Sequence, residues 1–283
     1  MDGVLVDTSK SYRAVVVETL QRLLAQEQTP DLPRPTTQWV ATLKQVGGFN
    51  NDWDLTRALL RGVLSAGTDF DLHRYATGLR EHGGGVDAVD ALLGAVPAHP
   101  ALRPEPLADD GVKRLFQEIY LGETLFQHIY GSQRTLIKGD ASGFIDRETP
   151  LFSVNQLRTI DHVPLAVATG RPNDEARYTL KRFDFLPVFD ALVTHDDVVA
   201  AAATGKPNPW ILEEVRRRLK LPPDSRCVYV GDLPDDMRAA QGAGFIPIGF
   251  RASESADGGS LQDAGAIAVS RGPDELISLL QSL

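Results

Sequence analysis

The chain has 283 residues, of which 42% are hydrophobic and 24% charged, a composition typical of globular proteins rather than disordered or collagen-like chains. Its 29 basic and 38 acidic residues give a net charge of −9, and no basic block is longer than Arg216–Arg218, so we expect no nucleic-acid partner. Since no apolar run reaches the ~18 residues of a membrane span and Cys227 is the one cysteine, we expect a cytoplasmic protein without disulfides or a membrane anchor.

The first half of the chain has helical periodicity. Apolar residues recur at spacings of three and four over 11–26, 54–64 and 112–130, which predicts a helix in each segment. Clusters of proline and glycine at 30–35, 83–85 and 97–106 predict breaks between helices. We therefore predict an all-helical domain over residues 10–149.

From about residue 150, short apolar runs alternate with helical patterns. The predicted strands are 163–168, 191–194, 227–230, 245–250 and 266–269, and the predicted helices are 173–183, 208–219, 235–243 and 273–282. This alternation predicts an α/β fold, with a Rossmann-like parallel sheet between two helical layers, formed by residues 1–9 and 150–283. Such sheets bind ligands beyond the carboxyl ends of their strands. Polar residues directly after each strand are therefore the candidate site residues.

Four short segments carry polar residues of this kind. They are DGVLVD at 2–7, LAVATGR at 165–171, GKPNP at 205–209 and VYVGDLPDD at 228–236. In this order, with a helical insert after the first, they resemble the four motifs of the haloacid dehalogenase-like hydrolase superfamily. The narrower resemblance is to its phosphatase branch with a helical cap inserted after the first motif (subfamily I). It covers nearly the whole chain, and four motifs in order are far more specific than any one of them.

The resemblance implies a Mg²⁺-dependent hydrolase of small phosphorylated metabolites that works through an aspartyl-phosphate intermediate. It implies that Asp2 is the general acid and then the base, and that Asp2 also lends its backbone carbonyl to the metal. Asp232 would hold Mg²⁺, a cation that prefers carboxylate and water oxygens. Asp236, Asp235 or both would support the metal shell, directly or through water. Thr169 would donate a hydrogen bond to a phosphoryl oxygen, and Lys206 would neutralise charge on the phosphate as a compact cation.

Three more residues are candidate substrate contacts. Gly170 and Arg171 follow Thr169, and Arg171 either steers the substrate anion or pairs with a nearby acid. Asn50 lies in the segment 47–54, GGFNNDWD, which either contacts the leaving group or is an ordinary loop with a helix cap at Asn51 or Asp52.

Two other features have a structural interpretation. The residues 195–197, His-Asp-Asp, are expected to form a loop and the start of a helix. Cys227 is expected to be a small buried apolar side chain inside a strand.

The sequence departs from the family's DxDG signature at its first position. Asp2 fills the second aspartate, so the nucleophilic aspartate and its strand would precede Met1. In this family's fold that strand lies between the strands of the second and fourth motifs, and without it two rows of backbone groups lack partners, at ~1–3 kcal/mol per buried group. We therefore expect a longer working protein, and little phosphatase activity from these 283 residues alone.

Other functions within and outside the family remain open at this stage. A phosphomutase would need a cap that excludes water, and a metal-free 2-haloacid dehalogenase would need neither the acid Asp2 nor the acidic pair Asp232 and Asp236. A non-catalytic binding protein with the same fold is the reading that the missing aspartate favours. We expect a monomer or a homodimer.

Overall fold

The computed structural model describes residues 1–25, 31–49, 51–95, 111–137, 141–252 and 259–283. The chain divides into two compact units, of which the first consists of Met1–Asp7 and Thr149–Leu283 and the second of Thr8–Glu148. The sequence analysis predicted domain boundaries one or two residues further along the chain. No helix in the described ranges has both the length and the apolar character needed to cross a membrane.

The described residues of the second unit form helices and short turns, with no strand among them. The helices are α1 (Tyr12–Leu24), α2 (Thr37–Val46), α3 (Asp52–Ala66), α4 (Leu72–Glu81), α5 (Gly85–Leu93) and α6 (Gly111–Tyr130). The sequence patterns predict α1, α3 and α6 but miss the other three, which are short. For example, α4 buries only Tyr75, Ala76 and Leu79 among mostly polar residues. The helix α6 is broken at Gly122, which has a φ of 71°.

The first unit alternates strands and helices, as the sequence predicts. In chain order they are β1 (Val6–Asp7), β2 (Thr149–Pro150), α7 (Val154–Arg158), β3 (Ala166–Ala168), α8 (Asn173–Arg182), β4 (Ala191–Val193), α9 (His195–Ala200), α10 (Trp210–Arg218), β5 (Val228–Gly231), α11 (Pro234–Gly242), β6 (Ile246–Phe250), α12 (Gly259–Asp263), β7 (Ala268–Ser270) and α13 (Pro273–Ser282). The strands β3, β4, β6 and β7 are shorter than the predicted apolar runs, while β5 is shifted by one residue. The helices α7 and α12 were not predicted, and only the start of α9 was. The α/β fold class is confirmed.

The parallel strands form two separate ladders. The strand β3 pairs with β4, and β5, β6 and β7 pair in that order, all in parallel, while β1 and β2 form a short antiparallel pair. Among the described residues no backbone ladder joins β3 to β5. The side chain of Tyr229 on β5 reaches across to β3, where its hydroxyl lies 3.4 Å from the carbonyl oxygen of Ala168.

One apolar core supports both ladders and the N-terminal residues. Val4, Leu5 and Val6 are buried with Val167 of β3 and Ile248 of β6 in a single cluster. This packing fixes the residues just after Met1 against the sheet. The burial of such side chains is worth roughly 1.5–3 kcal/mol each. The first and second motifs are therefore held at the same end of the unit.

A buried carboxylate organises the end of the second unit. Glu118 on α6 accepts hydrogen bonds from the backbone amides of Thr135, Leu136 and Ile137 at 2.7–2.9 Å and from the guanidinium of Arg114 at 2.8 Å. Burial alone would raise the pKa of Glu118, but these hydrogen bonds lower it below the ordinary value of 4.5. The ionised carboxylate therefore ties the segment 135–137 to α6.

We predict that Glu118→Gln lowers the free energy of unfolding by about 1–3 kcal/mol at neutral pH, because an amide cannot replace the ionised acceptor. The pKa of Glu118 is lower in the folded than in the unfolded protein, so its contribution is present above the unfolded pKa and is lost as the pH falls through the folded pKa. Urea unfolding at several pH values should show the difference from the parent shrinking below the ordinary pKa of 4.5. Glu123→Gln is the control, since the Glu123 side chain is 59% exposed on the same helix. A difference that stays constant down to about pH 3 would contradict the assignment.

Candidate active site

The first motif forms a tight turn that places Asp2 beside Asp232. The carbonyl oxygen of Met1 accepts hydrogen bonds from the amides of Val4, Leu5 and Val6, at 2.8–3.3 Å. At Gly3 the backbone has a φ of 65°, and a β-carbon there would lie 2.1 Å from Oδ2 of Asp232. Only glycine fits such a position. The first and fourth motifs are thus in direct contact.

Asp2 is held by Arg171, which follows β3. The guanidinium Nε donates to Oδ1 of Asp2 at 2.7 Å, Nη2 contacts the same oxygen, and Nη1 donates to Oγ1 of Thr179 at 2.9 Å. The Arg171 side chain is 1% exposed and that of Asp2 is 36% exposed. Of the two interpretations of Arg171, this placement favours the ion pair. A substrate phosphate could reach this guanidinium only by displacing it from Asp2.

A second charge pair joins the third and fourth motifs. The Nζ of Lys206 lies 2.6 Å from Oδ1 of Asp236, and the hydroxyl of Tyr229 lies 3.2 Å from each of these two atoms. Tyr229 received no role in the sequence analysis, although it lies two residues before Gly231 and so on the same side of β5. The alternation of side chains along β5 was the sequence signal that could have identified Tyr229 as a site residue.

The charges of this pair stabilise each other. Burial alone would raise the pKa of Asp236, but the charge of Lys206 and its hydrogen bond lower it below 3.8. Burial would likewise lower the pKa of Lys206, but Asp236 and Tyr229 raise it well above 10.5. Burial and the charge of Asp236 raise the pKa of the Tyr229 hydroxyl. Asp236 is therefore an anion, Lys206 a cation and Tyr229 a neutral phenol at neutral pH.

The remaining atoms of Asp236 are also occupied. Its Oδ2 accepts hydrogen bonds from the amides of Asp232 and Leu233, at 3.2 and 3.0 Å, where α11 begins. A β-carbon on Gly231 would lie 2.2 Å from the β-carbon of Asp236, so this glycine lets the carboxylate fold back over the strand end. Asp236 thus acts as a brace for Lys206 and for the turn that carries Asp232, and its part in a metal shell stays a prediction.

Four charged side chains surround one point near the N-terminus. The carboxylate of Asp232 lies against Gly3, the residue after Asp2. The amide of Asp232 donates to Oδ2 of Asp236, whose Oδ1 holds Lys206. The first, third and fourth motifs therefore converge on one small volume.

The donors in this volume fit a sparsely ligated cation. Within the described ranges no group of three or more His, Cys, Asp and Glu side chains is arranged to hold a metal ion. Mg²⁺, however, usually keeps several waters and is bound by one or two carboxylates together with substrate phosphate. Asp232, whose carboxylate lies against Gly3, and the backbone carbonyl of Asp2 are oxygen donors of that type.

The second motif supplies buried polar groups. Thr169 is 2% exposed, its amide donates to the carbonyl oxygen of Val193 at 3.0 Å, and its Oγ1 accepts the amide of Arg171 at 3.2 Å. A hydroxyl that accepts in this way still has its own proton to donate. Gly170 lies between them at the end of β3. These groups are placed at the carboxyl end of the strand, as the sequence predicts.

The structure also tests the sequence predictions for residues outside the four motifs. Residues His195–Ala200 form α9, and Asp197 accepts hydrogen bonds from the amide and hydroxyl of the N-cap residue Thr194, so the helix-start interpretation is confirmed. Asn51 is the N-cap of α3, as one of the two interpretations of the segment 47–54 proposed, while Asn50 lies outside the described residues. Cys227 is only half-buried and precedes β5 rather than lying inside it, which corrects that expectation.

The parallel α/β core, with opposite charges gathered at the carboxyl ends of its strands, is typical of proteins that bind a small ligand at that edge. A family model described as "Hydrolase: haloacid dehalogenase-like hydrolase" matches residues 1–244. The chain belongs to the haloacid dehalogenase-like hydrolases, and the resemblance read from the four motifs is confirmed.

The individual proteins that match this chain have low sequence identity to it. A "Phosphorylated carbohydrates phosphatase" of Thermotoga maritima is 34% identical over 121 residues, 43% of this chain and 53% of that protein. An "Imidazoleglycerol-phosphate dehydratase" of Phytophthora nicotianae is 24% identical over 300 residues, 100% of this chain and 52% of that protein. The chain thus spans about half the length of these curated relatives. A phosphatase from Thermococcus thioreducens has a TM-score of 0.60 at 21% identity, covering 99% of this chain and 96% of that one, which shows the fold alone.

We predict that Asp236→Asn lowers the free energy of unfolding by about 2–3 kcal/mol, because Lys206 keeps its charge after its partner is lost. We expect a loss at or below the lower end of the range for breaking a buried ion pair, because the Lys206 side chain is 20% exposed. The double variant Asp236→Asn/Lys206→Met should lose less than the sum of the two single variants in urea unfolding. Asp235→Asn is the matched control, because Asp235 pairs with the exposed Arg238. Strict additivity of the single variants would contradict the coupling.

Proposed function

We propose that this chain is part of a Mg²⁺-dependent phosphomonoester hydrolase that acts on a small phosphorylated metabolite. The observation that carries the proposal is the convergence of Asp2, Lys206 and Asp232 with their braces, Arg171 and Asp236, at one edge of the parallel sheet. Membership of the haloacid dehalogenase-like hydrolases supports the same chemistry. Phosphoryl transfer requires cations around the phosphoryl oxygens and a proton donor for the leaving oxygen, and these residue types supply both.

The phosphoryl group would be bound by the second and third motifs. Lys206 places a positive charge at the site, and its pairing with Asp236 fixes where that charge lies. Thr169 donates its hydroxyl proton to one phosphoryl oxygen, and the backbone at Gly170 faces the same end of β3. Asn50 is the proposed contact for the leaving group. These interactions bind substrate and stabilise the charge that develops in the transition state.

Asp2 is the proposed proton donor and acceptor. As a nucleophilic carboxylate oxygen forms its bond to phosphorus, the bond from phosphorus to the substrate oxygen breaks, and the carboxyl proton of Asp2 passes to that leaving oxygen. The carboxylate then takes a proton from the water that attacks the aspartyl-phosphate, which releases inorganic phosphate. Bound Mg²⁺ would add charge neutralisation at the phosphoryl group, with Asp232 and the carbonyl of Asp2 as its protein donors and Asp236 as a support.

We further propose that the nucleophile is a residue that precedes the printed sequence, two positions before Asp2. The separation of the ladders supports this proposal, since β3 and β5 share no ladder in the described residues and are bridged by the Tyr229 side chain. A strand placed there would pair with both edges and carry the nucleophile towards Asp2 and Lys206. Residues Thr8–Glu148 are the proposed helical cap domain of this family.

The relatives suggest which substrates to test first. The matched Thermotoga maritima protein is named for phosphorylated carbohydrates, so sugar phosphates are the first compounds in the panel. A 2-haloacid dehalogenase is disfavoured, because displacement of halide needs neither a proton donor at Asp2 nor a cation at Asp232. A phosphomutase would convert a sugar phosphate without releasing phosphate, and the same assay separates it from a hydrolase.

The test measures phosphate release by two forms of the protein, the 283 residues and a form extended through the in-frame upstream codons. We expect the extended form to hydrolyse at least one sugar phosphate only when Mg²⁺ is present, and the shorter form to be inactive. Asp232→Asn should reduce kcat/KM by roughly 100-fold through loss of the cation. Asp224→Asn is the control, because Asp224 is exposed in a loop of the same unit and should leave kcat/KM unchanged.

Each outcome bears on one part of the proposal. A folded extended form that releases no phosphate from any substrate, with or without Mg²⁺, would reject the phosphatase. Mg²⁺-dependent turnover by the 283 residues alone would reject the upstream nucleophile. A polar or terminated reading frame directly before Met1 would reject it as well. Interconversion of sugar phosphates without release of phosphate would indicate a mutase.

A further inference from the structure

The largest side chain among those under 2% exposed is a cation, that of Arg171. Its backbone is fixed on both sides, since its amide donates to Oγ1 of Thr169 at 3.2 Å and its carbonyl oxygen accepts the amide of His195 at 2.9 Å. A buried guanidinium is costly unless its donors are satisfied by an anion or by acceptors. The structure supplies those acceptors in Asp2 and Thr179.

The partners of the guanidinium differ sharply in exposure. Thr179 on α8 is fully buried, and it holds Nη1 at 2.9 Å. Asp2 is 36% exposed, and Nε and Nη2 both contact its Oδ1. Two nitrogens of the planar guanidinium converge on this one oxygen, which fixes its position more closely than a single ammonium would. Because two donors of a buried side chain contact the same oxygen, the pair restrains the orientation of Asp2.

We infer that Arg171 is the positioning residue for the proton donor Asp2, and that Thr179 in turn anchors Arg171. This inference rests on the proposed phosphatase function and deepens it. Arg171 does not bind the phosphoryl group; it holds the carboxyl of Asp2 where the leaving oxygen departs. A general acid typically contributes 10²–10⁴-fold to the rate, and this contribution depends on its geometry.

The positioning role of Arg171 can be tested with substrates whose leaving groups differ in their need for a proton. An alkyl phosphate, such as a sugar phosphate, needs a proton on its departing oxygen, whereas the p-nitrophenolate of p-nitrophenyl phosphate departs without one. A residue that positions the general acid is therefore needed mainly for the alkyl substrate. A residue that only stabilises the fold, or that binds phosphate, is needed equally for both.

The experiment compares kcat/KM for the two substrates in the extended, Mg²⁺-loaded protein. Arg171→Met should reduce turnover of the alkyl phosphate by roughly 10–100-fold and that of p-nitrophenyl phosphate by less than about 3-fold. Asp2→Asn should show the same selectivity with a larger loss. Arg171→Lys should recover part of the alkyl activity, because it keeps the charge but not the fork. Arg177→Met is the matched control on α8, where Arg177 is exposed, and should change neither rate.

Inhibition by inorganic phosphate separates positioning from phosphate binding. The inhibition constant should be unchanged in Arg171→Met, and a rise of 10-fold or more, about 1.4 kcal/mol, would overturn the inference in favour of direct contact. Equal losses on both substrates would overturn it in favour of a purely structural role. If Arg171→Met does not fold, as judged by thermal melting, the substrate ratio of Arg171→Lys and of Thr179→Val decides in the same way. A parent protein inactive on both substrates would instead reject the proposed function itself.

Discussion

The pairing of Lys206 with Asp236 is the interaction on which the arrangement of the site depends. A lysine near a buried sheet edge needs a counterion, and Asp236 supplies it at 2.6 Å while its other oxygen caps the turn before α11. One carboxylate thus fixes the third motif, the start of a helix and the backbone of Asp232. Tyr229 adds a neutral hydroxyl between the two charges, so the pair has a single geometry.

The same principle operates on the other side of the site. Arg171 is buried and must have an anion, and the anion is Asp2. The acids of the site therefore differ in function although they are the same residue type. Asp236 is occupied by internal contacts, and Asp2 is paired with Arg171 and partly exposed. The carboxylate of Asp232 lies against Gly3. These functions differ because each carboxylate faces a different set of hydrogen-bond donors and charges.

Much of this organisation could be predicted from the sequence. Alternating apolar runs gave the parallel α/β core and the polar residues after each strand, because the periods of strands and helices differ and strands end where apolar runs end. Helices α2, α4 and α5 escaped detection, since short helices with a narrow apolar face resemble polar loops. Tyr229 and Thr179 escaped detection as site residues for another reason. Nothing local in a sequence shows which distant side chain a hydroxyl will meet.

The sequence by itself determined the family, the order of its four motifs and the two-part organisation of the chain, because these depend on residue types and spacings along one dimension. Only the tertiary structure decided that Arg171 pairs with Asp2, that Asp236 braces Lys206 and that β3 and β5 share no ladder in the described residues. Each of these facts joins residues that lie far apart in the chain. Their energies come from burying opposite charges together, and burial is a property of the folded chain alone.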